Sequence, residues 1–123
     1  DADAIQRRVE QHFAGVPQLS CVRNDVYARL SHTAFTKGTA MAEVAQHLEI
    51  PREGIFAAGD HWNDLPMLQS NLAEWIVAPA NAIPEVIEHV EQQGGFVAQA
   101  PTGLGVLEGL EWALAEASET SAL

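Results

Sequence analysis

Two carboxylates and an amide crowd one short run of this chain, Gly59-Asp60-His61-Trp62-Asn63-Asp64-Leu65-Pro66-Met67-Leu68. Oxygen ligands gathered at a turn suit a hard cation such as Mg²⁺, which takes one or two carboxylates and keeps water or substrate phosphate for its other positions. The same spacing also suits plain capping, with Asp64 closing the start of a short helix, Pro66 tolerated in its first turn and Asp60 solvated. The spacing alone does not choose between the two.

A second chemical signal comes from Lys37, the only lysine in the chain. It precedes a helical pattern expected to start near Thr39. A cation at a helix N-terminus opposes the macrodipole by about 0.3–1 kcal/mol, whereas the free amides there favour an anion. Lys37 and Gly38 beside such amides would form a site for phosphate or carboxylate. A solvated surface lysine is the plainer alternative.

Both signals need elements to hold them. Ile5, Val9 and Phe13 recur at helical spacing behind Asp3, and they predict an opening helix that ends near Gly15 and Pro17. Leu19 to Arg23 and Val26 to Leu30 are β-prone and flank Asn24-Asp25, a turn-type pair, which predicts a short hairpin or two consecutive strands. Met41, Val44, Ala45 and Leu48 define a helix face that Ile50-Pro51 breaks. The continuous apolar run Ile55 to Ala58 reads as a strand buried on both faces, and Asp60 falls at its carboxyl end. A brief helix is expected over Leu65 to Ser70, a strand over Trp75 to Ala78, and a helix carrying Val86, Ile87 and Val90 that Gly94-Gly95 can stop. A last strand at Phe96 to Ala98 and a closing helix marked by Leu107, Leu110 and Leu114 complete the pattern. Strands alternating with helices imply a parallel sheet covered on both sides, which presents function at the carboxyl ends of its strands.

Composition excludes several roles. Six basic residues against seventeen acidic ones give a net charge of -11, which repels nucleic acid and anionic membrane while leaving room for a small anion at a local positive spot. Cys21 is alone, so there is neither an internal disulfide nor a zinc-type cysteine pair. No signal peptide or membrane-length apolar run stands out, and the expectation is a soluble, cytoplasmic protein.

Taken jointly, Lys37-Gly38-Thr39-Ala40-Met41 and the run from Gly59 to Leu68 resemble the third and fourth motifs of haloacid dehalogenase-like hydrolases, nearest to the Cof-type sugar-phosphatase branch and its sucrose-phosphatase relatives. Val77 to Ala82 and Thr102 to Leu107 resemble later segments of the same proteins. The resemblance implies an α/β fold, a Rossmann-like, mostly parallel sheet with flanking helices. Residues 1–35 would be the end of an α+β cap, and residues 36–123 the C-terminal half of the hydrolase core. It further implies Mg²⁺ as cofactor, with Asp60 helping to hold it and Asp64 orienting or supplementing it as a second metal-site residue, and Lys37, Asp60 and Asp64 as the catalytic group. Lys37, Gly38, Asn63 and Asn81 would touch a small phosphorylated metabolite; for Asn81 a turn role after a strand is equally open.

One motif of the family is missing. Its members attack phosphate with the first aspartate of Asp-x-Asp-Gly-Thr at a strand end. Asp1-Ala2-Asp3 has no strand before it and no Gly-Thr after it, so it reads as capping chemistry. Ser20 and Ser31 lie in cap-like segments and do not supply the second motif. The expectation is a phosphatase half whose nucleophile lies outside this chain, inactive alone, and prone to self-association or in want of an N-terminal segment along the Ile55 to Ala58 edge. The rival is a stand-alone binding or scaffolding module that keeps only the metal and phosphate half-site. A receiver-like phosphoacceptor fits less well, because it lacks an early acidic cluster. His61 and Trp62 are bulkier than the family's usual residues, and packing is the simpler role for Trp62.

Overall fold

The computed structural model describes residues 1–121. The chain opens with α1 (Ala2–Phe13), capped by Asp1, whose carboxylate accepts from the Asp3 amide at 2.9 Å. β1 (Leu19–Asn24) and β2 (Tyr27–His32) then pair antiparallel as the expected hairpin, with Asp25 in the left-handed region at its tip. α1 packs on this hairpin.

α2 (Lys37–His47) begins two residues earlier than the sequence suggests, and the reason is a cap. Thr36 Oγ1 accepts from the Thr39 amide at 3.1 Å, while Thr39 Oγ1 accepts from the Thr36 amide at 2.9 Å. This reciprocal pair closes the helix start and makes Lys37 its first residue.

The remaining elements are β3 (Phe56–Ala58), β4 (Trp75–Ala78), α3 (Pro84–Gln92), β5 (Phe96–Val97) and α4 (Thr102–Ser121). The three strands form one parallel sheet in the order β3-β4-β5, with Ala57 opposite Ile76 and Val77 opposite Phe96. Alternation along β4 then assigns the two faces. Ile76 packs with Val86 and Val90 of α3, and Val77 meets α4. Leu68, Ile76, Val77, Val86 and Val90 are fully buried, each side chain worth about 1.5–3 kcal/mol relative to exposure.

One expectation fails. No α-helix forms over Leu65 to Ser70; the helical turn lies earlier, a 3-10 turn over Trp62–Asp64, followed by turns closed by Met67 and Leu68 amides on the Asp64 carbonyl. The closing helix expected around Leu107, Leu110 and Leu114 forms as α4; those leucines are 51%, 39% and 60% exposed, and the buried face is Gly105, Gly109 and Ala113. A Cβ on Gly109 would stand 2.3 Å from Val77 Cγ1, so the helix backbone lies almost directly on the strand.

Candidate active site

β3 ends at Ala58, and the chain turns at Gly59, whose amide still donates to the Val77 carbonyl at 3.1 Å. Asp60 follows at the carboxyl end of the strand. Its carbonyl accepts from the Ile83 amide at 3.0 Å and its amide donates to Asp64 Oδ2 at 2.9 Å. The backbone of Asp60 is thus fixed from two sides. Its carboxylate has no hydrogen-bond or ion-pair partner among the described residues, and it lines an open cleft of about 400 Å³.

Asp64 is built oppositely. It is 4% exposed, and its oxygens are engaged by the chain itself. Oδ2 accepts from the amides of Asp60 and His61, and Oδ1 pairs with Lys37 Nζ. Burial by itself raises this carboxyl's pKa, but the Lys37 hydrogen bond, the two amides and the lysine's charge outweigh it, and the net direction is downward. Asp64 therefore stays ionised and ties together three parts: the lysine of α2, the loop after β3 and the 3-10 turn.

Glycine makes this close fit. A Cβ on Gly59 would lie 2.4 Å from Asp64 Cβ, and one on Gly38 would lie 2.1 Å from the Pro66 carbonyl oxygen. Gly38 is buried against that turn and does not line the cleft, so its place here is packing rather than ligand contact. Lys37, next to it, keeps a half-exposed side chain on the cleft wall.

The cleft is completed by Met67, Pro79, Asn81, Thr102, Gly103 and Val106. Asn81 Oδ1 accepts from the Thr102 amide at 2.6 Å, so it fixes the start of α4 as well as lining the site. Below it, Glu108 accepts from the amides of Gln99 and Ala100 and holds the loop that leads there. Nothing in the spacing of Glu108 marks it for this task. Of the sequence-derived residues, the fold brings Lys37, Asp60, Asp64 and Asn81 together. Asn63 lies on the other side of the 3-10 turn, in a neighbouring cleft with Arg23 and Arg29. Trp62 lies under the Arg23 guanidinium, 4.8 Å from carbon to ring centroid, a packing role.

Among the described residues no three His, Cys, Asp or Glu side chains converge into a metal centre. The donor set still suits one cation in particular. A free carboxylate beside an open cleft matches Mg²⁺, which needs few protein ligands, whereas Asp64's engaged oxygens fit it to orient rather than to coordinate.

A short parallel strand delivering a fixed aspartate beside a helix-borne lysine is the arrangement of a known class. The chain matches the model of haloacid dehalogenase-like hydrolases over residues 1–100, and it belongs to that family. Bacillus subtilis YxeH, which carries a phosphatase name, is 40% identical over 65 residues, 50% of this chain and 22% of that protein. The phosphoglycolate phosphatase of Methanococcoides burtonii is 33% identical over 85 residues, 69% of this chain and 35% of its own. The sucrose-phosphatase of Synechocystis, solved with sucrose and phosphate, superposes with a TM-score of 0.69 at 23% identity over 90% of this chain and 45% of its own. That likeness shows the shared α/β fold. The chain thus spans about a fifth to a third of the curated relatives it matches.

Proposed function

We propose that this chain supplies the cation and phosphate half of a Mg²⁺-dependent phosphatase acting on a small phosphorylated metabolite, a sugar phosphate or a compound of similar size. The observation that carries the reading is the contrast between two aspartates four residues apart. Asp60 has a fixed backbone and a free carboxylate in the cleft, while Asp64 is consumed in holding Lys37 and the loop.

In this reading Asp60 holds the cation, which when bound neutralises charge on the phosphoryl oxygens. Lys37 offers its half-exposed ammonium to the same phosphate, and Asp64 holds that ammonium in place. Asn81 keeps the mouth of α4 at the edge of the cleft. No Asp-x-Asp-Gly-Thr run is present in the sequence, so the attacking aspartate is assigned to polypeptide outside this chain, and the 123 residues alone should not turn over substrate.

The experiment is a titration of the chain with Mg²⁺ and inorganic phosphate, followed by the amide resonances of Lys37, Gly59 and Asp60. Saturable shifts that disappear in Asp60→Asn for the metal and weaken in Lys37→Met for phosphate are expected. Phosphomonoester hydrolysis by the purified chain that survives Asp60→Asn would sink the assignment.

A further inference from the structure

Two helix faces stand open to solvent, and they carry opposite charge. On α4, Leu104, Leu107, Leu110 and Leu114 form an exposed apolar row. Glu111 lies four residues after Leu107 and three before Leu114, which puts it on the same face. It is exposed and has no ion-pair partner among the described residues. Glu108 is not free in this way, because its carboxylate accepts from the Gln99 and Ala100 amides.

α1 presents the counterpart. It buries no residue outright, and one of its faces holds a groove of about 390 Å³ lined by Ile5, Arg8, Val9, His12 and Phe13. That spacing is the stripe by which a helix meets a partner. Ile5 is 58% exposed, and Arg8 is exposed with no carboxylate at ion-pair distance among the described residues. The rows match in length, about 12 Å from Ile5 to Phe13 and about 15 Å from Leu104 to Leu114 at 1.5 Å per residue.

Charge selects the pairing. Two α4 rows laid on each other would bring like carboxylates together, and the exposed Val44 and Leu48 of α2 are flanked by Glu43 and Glu49. Among α1 to α4 only α1 contains arginine. Both rows are exposed, so they do not cover each other within one chain.

We propose that α4 of one copy docks on the α1 face of a second copy, with Leu107 and Leu114 along Ile5 and Val9, and Glu111 paired with Arg8. The contact joins two different surfaces, so each pair keeps one of each kind open and can grow.

The test is light scattering on the full chain across a concentration series, with thermal melts to confirm that each variant is folded. Mass should rise with concentration in the unaltered chain. Arg8→Glu and Glu111→Arg should each delay that rise to roughly tenfold higher concentration. The double variant R8E/E111R should recover it, and so should a mixture of the two single variants, since each supplies the charge the other lacks. Arg7→Glu, outside the groove, should behave as the unaltered chain does. Net charge alone predicts another pattern: Arg8→Glu makes the chain more acidic and Glu111→Arg less so, and opposite effects of the two would overturn the proposal. So would no recovery in the double variant, an equal loss in Arg7→Glu, or association that no variant alters, which would place the contact elsewhere, such as the β3 edge. A monomer at every concentration would overturn it too and leave both faces to other polypeptides.

Discussion

At neutral pH the Asp64 carboxylate meets Lys37 on one oxygen and two backbone amides on the other. Its pKa in the fold lies below the unfolded value of about 3.9. The sign of the linkage follows: the stabilisation is fully present above about pH 4 and is lost as pH falls through the folded value. Thermal melts of the metal-free chain should therefore fall off steeply below about pH 4, and Asp64→Asn should flatten that dependence. Lys37→Met strands a buried carboxylate. Because the lysine is half-exposed and partly screened, the cost should be about 1 kcal/mol, measurable by urea denaturation. A loss several times larger would mean that Lys37 is a core element and not a ligand-facing group.

The elements deliver these side chains by close approach. α4 rests on Val77 through Gly109 and on Pro79 and the Ala100 carbonyl through Gly105, so its outward leucines contribute little to the fold. Gly109→Val should push helix from sheet and destabilise by about 1–3 kcal/mol, whereas Leu107→Gln should stay within about 0.5 kcal/mol. Denaturant midpoints separate the two outcomes. Equal losses would show that the leucine row is buried. At the acidic turn, Gly59→Ala places a methyl where Asp64 sits. It should abolish the cation response at Asp60 while the sheet remains, as amide spectra would record.

At the scale of the whole molecule, β3 lies at one edge of the three-stranded sheet and pairs only with β4 among the described residues. Val44 and Leu48 of α2 and the leucines of α4 are also exposed. We expect these surfaces to associate, because unpaired strand edges and open apolar faces recruit partners. Light scattering should show a mass that rises with concentration. A monomer at every concentration would contradict this. No described helix is long and apolar enough to cross a membrane.

Sequence and fold divided the work along physical lines. The strand, helix and hairpin order was legible because apolar runs, periodicity and turn pairs are local signals. Lys37, Asp60 and Asp64 were legible as a set because their residue types and spacing match a family pattern. The sequence left open whether Asp64 supplements the cation site or only orients it. That depends on the amides of Asp60 and His61 pointing at Asp64, which only the turn after β3 arranges. Nor could it show that Gly38 packs on Pro66, that Asn63 falls in a different cleft from Asp60, or that α4 buries glycine in place of leucine. Each of these is decided by contacts between segments distant in the chain or by a backbone turn. Side-chain periodicity carries no record of how closely two backbones can meet.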